Sequence, residues 1–215
     1  MDESSLRPSP KGTGIRNMVG WVIVVLIAAF LGKNAARNNF GSLRAPNEMG
    51  APHFPANSWV KRDHGNISLS SPLAFGLGPD ISSELPADVS KALEHYELLD
   101  TGEVSSSFRA TISRVHYKPS VQVSLDGAMN GSITQATAAL GDVEPNYTSL
   151  PIKIDGLQAR RATYRNKIAG RIVHIDAVSI QHEQKIWQVT VFYSGDAATT
   201  DAKRLLDSIH IFPSK

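Results

Sequence analysis

Two sets of residues in this chain have the types and spacing to do chemistry. His174 and Asp176, in "RIVHIDAVSI", stand two apart, so on an extended strand both point to one face. His116, in "SSFRATISRVHY", could approach them from a second strand, and a His/His/Asp set can hold zinc or iron. The same face also carries Ile172, Val178 and Ile180. That places His174 and Asp176 at the polar margin of an apolar surface, with cross-strand arginine as their partner. His53, His64, His95, His182 and His210 are scattered. No metal ligand set and no cofactor are expected.

The second set is the basic run 156–171, "GLQARRATYRNKIAGR", which carries Arg160, Arg161, Arg165, Lys167 and Arg171 and no acid. Gathered on one surface, such cations would bind phosphate. The alternation of a strand deals them to both faces instead: Arg161 and Arg165 go with Leu157, Ala159 and Thr163, while Arg160 goes with Gln158, Ala162 and Tyr164. Lys167 is assigned to the following turn. Ordinary solvated strand charge is the first reading of the run, and a contact edge at Arg161, Arg165 and Lys167 for an anionic ligand or an acidic partner is the alternative. Tyr164 and Trp187 are candidates for the rim of a small-molecule or lipid pocket between sheet and helix.

Other chemistries lack their residues. A serine hydrolase needs a nucleophile on a sharp Gly-x-Ser-x-Gly turn, and a phosphate loop needs a glycine-rich strand-to-helix junction. The "KGTG" at 11–14 lies in a polar tail and "FGLGPD" at 75–80 leads into a turn. The chain has no cysteine, which removes thiol nucleophiles, disulfides and thiolate metal sites. Residues 1–50 hold six Lys/Arg against three Asp/Glu, and residues 51–215 sixteen against seventeen. A body so balanced lacks the basic excess of a nucleic-acid domain. A non-enzymatic module is expected, and a metal-assisted enzyme is the weaker alternative.

These residues need elements to position them, and the chain divides accordingly. Residues 1–16 form a basic polar tail. Residues 17–32, "NMVGWVIVVLIAAFLG", carry no charge and are framed by Arg16 and Lys33. As a helix they reach about 24 Å, somewhat short of the roughly 30 Å hydrocarbon core. Snorkelling of Arg16 and Lys33 and the interfacial Trp21 help close the gap. A transmembrane signal anchor is expected here, contacting the lipid bilayer. A cleaved signal peptide is the alternative, although "GKNAARNNF" offers a poor cleavage site. Arg7, Lys11, Arg16 and the amino terminus precede the span; Lys33, Arg37 and Arg44 follow it. The near tie tilts toward a cytoplasmic N-terminus, hence an extracytoplasmic, periplasmic-side domain; a cytoplasmic domain is the alternative. Residues 33–58, rich in Pro, Asn and Gly, read as a tether.

From 59 to 215 strand and helix periods alternate. A strand begins at Ile67 and Leu69, and a helix is expected over 85–99 from Val89, Ala92, Leu93 and Tyr96. Glu94, Glu97, Asp100 and Glu103 bias the end of this helix negative and read as a solvated face, with a cationic partner as the alternative. A strand follows at 106–117, and a second helix at 125–140 on Leu125, Met129, Ile133, Ala136 and Leu140. Strands at about 157–165, 171–181 and 185–194 make a meander with short turns. A last helix starts near Asp196 as N-cap and buries Ala198, Ala202, Leu205 and Ile209, and "IHIFP" closes with a short edge strand. The expected class is α+β, an antiparallel sheet packed with about three helices.

"IDGLQARRATY" and "KIWQVTVFYSGDAATTDAKRLLDSI" carry a family likeness: a Gly-led strand entering a hairpin, then an aromatic strand, a short turn and an Ala/Leu-striped helix. Over about 59–215 the chain resembles the PsbP-like superfamily, which includes the extrinsic PsbP protein of photosystem II and a nuclear Ran-binding protein. The resemblance implies an α/β sandwich that binds or assembles with another protein rather than catalysing a reaction. It carries over no site residues, and the membrane anchor departs from both relatives.

Overall fold

The period-two alternation of the meander has two apolar faces to cover, and the fold covers both. In the computed structural model the described residues are 54–78, 80, 87–101, 108–130, 133, 148–168 and 171–212. In chain order the strands are β1 (Val60–His64), β2 (Ile67–Ser71), β3 (Gly76–Leu77), β4 (Leu93–Asp100), β5 (Phe108–Tyr117), β6 (Thr148–Ile154), β7 (Leu157–Ile168), β8 (Arg171–His182), β9 (Lys185–Tyr193) and β10 (His210–Ile211). Helix α1 is Ala87–Ala92, residues 125–130 are helical and here called α2, and α3 is Asp196–Asp207. A seven-stranded sheet runs β3-β4-β5-β9-β8-β7-β6, and a small one runs β1-β2-β10. Every strand pairing is antiparallel.

On one face of the large sheet Phe108, Ala110, Ile112, Ala159, Val178, Ile180, Trp187, Val189 and Val191 meet Ala198, Ala202, Leu205 and Leu206 of α3, with Ile67, Leu69 and Ile211 of the small sheet. Fully burying a side chain such as Leu205 stabilises by about 1.5–3 kcal/mol. On the other face Ala162, Tyr164, Val173, Ile175 and Ala177 meet Met129 and Ile133, and Val115, Tyr117 and Ile186 meet Val89 and Ala128. The central strands are therefore buried on both sides, the condition in which strands read as nearly continuous apolar runs.

The small sheet is stitched to its neighbours by polar bonds. Ser208 Oγ accepts the Ser70 N–H at 2.7 Å, and Asp155, in the β6–β7 turn, accepts the Ile211 N–H at 2.8 Å. Packing already involves Phe54: its N–H donates to the fully buried Asp201 at 3.1 Å, and its ring meets Phe108 edge-on. Arg204 lies 4.3 Å over the Trp59 ring.

Several expectations need correction. The helix at 85–99 is a helix only over Ala87–Ala92; from Leu93 the chain is a strand. Val89, Ala92 and Leu93 fit a short helix, but Tyr96 belongs to a segment that takes its hydrogen bonds from β5. The acids beyond are a cross-strand ladder: Glu94 pairs His116 at 3.0 Å, Glu97 pairs Arg114, and Asp100 takes Arg109 Nε at 2.9 Å. The last helix has Gly195, at φ +86, as its cap, so Asp196 is its first residue. A side chain at Gly195 would strain that turn. Strands β1, β3 and β6 were not expected. The meander, the strand at β5, the short edge strand β10 and the burial of Leu125, Met129 and Ile133 are as expected. Residues 131, 132 and 134–140 of the expected second helix lie outside the described residues. Among the described residues no helix is long and apolar enough to cross a membrane, and the expected anchor at 17–32 lies outside them.

Candidate partner-binding face

Helix α3 covers only part of its sheet face, because its apolar stripe rests on β8, β9 and β2. The outer strands β7 and β6 and the far end of β8 extend beyond it. On this flank the register lines up Leu150 with Arg161, Thr148 with Thr163, Thr163 with Asp176, and Arg165 with His174. Alternation puts all of them on the face that α3 shares.

Arg161 spans from sheet to helix. Its guanidinium lies 3.5 Å from Asp176 and 3.1 Å from Asp207 of α3. Asp176 is buried, and its Oδ1 has no hydrogen-bond partner among the described residues. Asp207 also accepts a bond from Lys203, which with the nearby charges of Lys203 and Arg161 holds its carboxyl below the usual carboxylate range. His174 stacks on Tyr193 with ring centroids 5.2 Å apart. Burial, and then the charge of Asp176, push the Tyr193 hydroxyl above its ordinary value.

Arg165 is exposed at the margin of this network, where its charge still reaches the Tyr193 hydroxyl. On the same face Leu150, 57 % exposed, stands level with Arg161, and Ile172, 53 % exposed, stands level with Lys167, so the two lie on either side of Arg165 and roughly 20 Å apart along the strands, with exposed Thr163 between them. Lys167 is opposite Ile172 within β7, not in the turn as expected, because the β7–β8 pairing continues to Ile168 and Arg171. Among the described residues the far side of β6 is an edge, and Pro151 and Lys153 sit on it, which are residues that discourage pairing with another strand. The flank therefore offers a side-chain surface rather than a strand to extend.

The remaining candidates separate. His174 and Asp176 do share a face, but His116 lies at the other end of β5. Phe108 is level with Tyr193 and His174, whereas His116 is level with Lys185 and His182. That offset is roughly 26 Å along the strands. Among the described residues there is no group of three or more His, Cys, Asp or Glu able to hold a metal ion. Tyr164 and Trp187 lie on opposite faces of the sheet, so no single pocket has both at its rim. Tyr164 is packed with Met129 and Ile133, and burial pushes its hydroxyl far above the ordinary range. Trp187 is 3 % exposed and borders a cleft of about 280 Å³ shared with Arg114, His116 and Lys185.

Leu150 and Ile172 were missed as contact residues. A lone apolar residue in a strand looks like core until the width of the covering helix is known.

No protein-family model and no curated protein matches the chain. Among solved structures it is similar to the protein PA94 of Pseudomonas aeruginosa, described as of unknown function, at 13% identity and TM-score 0.37, covering 73% of this chain and 98% of that one. It is similar to LpqN of Mycobacterium tuberculosis, described as involved in cell envelope biogenesis, at 9% identity and TM-score 0.37, covering 72% and 91%. The family read from the sequence appears as well: the chain is similar to the cyanobacterial PsbP of Synechocystis at 11% identity and TM-score 0.49, covering 77% of this chain and 99% of that one.

Proposed function

We propose that this chain is a single-pass, membrane-tethered, non-catalytic module that holds an α+β domain near the bilayer, on the extracytoplasmic side, and docks a protein partner there. The observation that carries this reading is the uncovered flank of β6–β8, where Leu150, Ile172 and Arg165 are exposed on one face. Exposed apolar side chains flanking an arginine on one face suit a contact surface, and arginine is among the residue types that supply most binding energy at such surfaces. The anchor at 17–32 and the tether at 33–58 support the membrane half of the reading.

Arg161 plays a supporting part, since Asp176 and Asp207 already engage it. Arg165 is the forward contact and selects a partner bearing carboxylates beside apolar groups. Affinity purification of the full chain from membranes tests this with the charge-reversing variant Arg165→Glu and with Ile172→Asp, which places a charge on the apolar side chain's position. A partner retained by the parent and lost from both variants is expected. A partner retained equally by all three would sink the assignment of the flank.

A further inference from the structure

We propose that a second site, a cleft of about 630 Å³ between α2 and the outer strands β6 and β7, binds a small anionic polyol of the sugar-acid or hydroxycarboxylate class. Ser124, Asp126, Lys153, Gln158, Arg160 and Gln181 line it. The register explains how they gather. Lys153 stands opposite Gln158 and Gln158 opposite Gln181, making one polar row across three strands; Pro151, Arg160 and Ser179 make another. The volume lies within the range of about 300–1,000 Å³ in which small-molecule sites fall.

The charges favour an anion. Among the described residues that line the cleft, Lys153 and Arg160 face a single carboxylate, Asp126, which pairs with Arg160 while 61% exposed. A carboxylate from solution can replace Asp126 on the guanidinium without leaving a charge buried, and a guanidinium holds such a group through two parallel N–H donors. The carboxamides favour hydroxyls. Each offers two donors and an acceptor, matching groups that both donate and accept. Gln181 is loosely committed, with its Nε2 reaching the Glu183 carbonyl at 3.4 Å. Leu125 and Pro151 add an apolar wall for the C–H face of a ring.

Calorimetric titration of the full chain in detergent micelles with glucuronate, and with glucose as the neutral counterpart, tests the proposal. Saturable glucuronate binding is expected, about tenfold tighter than glucose. Lys153→Ala and Gln181→Leu are each expected to weaken it about tenfold, a loss of about 1.4 kcal/mol, with thermal unfolding like that of the parent. No saturable binding, equal binding of glucose, or binding unchanged in both variants would overturn it.

Discussion

Arg161 decides how much of the basic run is structural, and replacing it with leucine measures this. Asp176 is 5% exposed; the Arg161 guanidinium lies 3.5 Å from its Oδ2, and its Oδ1 has no hydrogen-bond partner among the described residues. Removing one member of a fully buried ion pair costs about 3–5 kcal/mol, because the other charge is left in a poor solvent. Arg161 is itself 27% exposed, so water screens part of the interaction. A cost of about 2 kcal/mol follows, or roughly 4–8 °C in melting temperature for a domain of this size. Urea unfolding of the full chain in detergent, followed by the fluorescence of Trp59 and Trp187, gives the stability of Arg161→Leu, Asp176→Asn and the double variant. Asp176→Asn removes the stranded charge, so the double variant is expected to recover about 1 kcal/mol relative to the sum of the singles. Additive effects, or an Arg161→Leu chain as stable as the parent, would refute the claim that Arg161 neutralises the buried carboxylate.

Further perturbations address the rest of the fold. Asp155 is held below the usual carboxylate range first by the Ile211 N–H and then by His210. Its contribution is thus fully present above the ordinary carboxylate value and is lost as pH falls through its lowered one. Being partly exposed, it is worth about 1 kcal/mol, and Asp155→Asn should remove that part of the acid-side slope in a stability–pH curve. Leu205→Ala, in the centre of the α3 core, is expected to cost about 2–5 kcal/mol in urea unfolding. Gly65 has φ +62, and a Cβ there would lie 2.4 Å from Arg114 Nη1. The side chain can move but the backbone cannot, so Gly65→Ala should lower stability by about 1–2 kcal/mol, read from the same unfolding curves.

What the sequence made legible follows from burial. The meander β7–β9 and helix α3 were readable because their apolar residues recur at a single period against one continuous core. Strand β6 was not: "TSLPIKI" is an edge strand holding Pro151 and Lys153, and four of its seven residues are exposed. Strand β1, "VKRDH", is charged and nearly all surface. Strand β4 was hidden because Leu93 and Tyr96 continue the helical spacing of Val89 and Ala92, and only pairing with β5 decides between the periods. Part of the candidate face was legible, since strand alternation already set Arg161 and Arg165 apart from Arg160. Exposure of Leu150 and Ile172 was not, because it depends on where α3 ends its cover. The polar cleft assembles from Asp126, Lys153, Gln158 and Gln181, which no local pattern links.

The central claim is a docking flank on a membrane-tethered domain. Site-specific photo-crosslinking in intact membranes tests it most directly, with the photoreactive residue at Ile172 or Leu150 and a control at Lys91, which is exposed on α1. The account expects a discrete adduct of one partner protein from both flank positions and none from Lys91. No adduct from the flank, or the same adducts from all three positions, would contradict it.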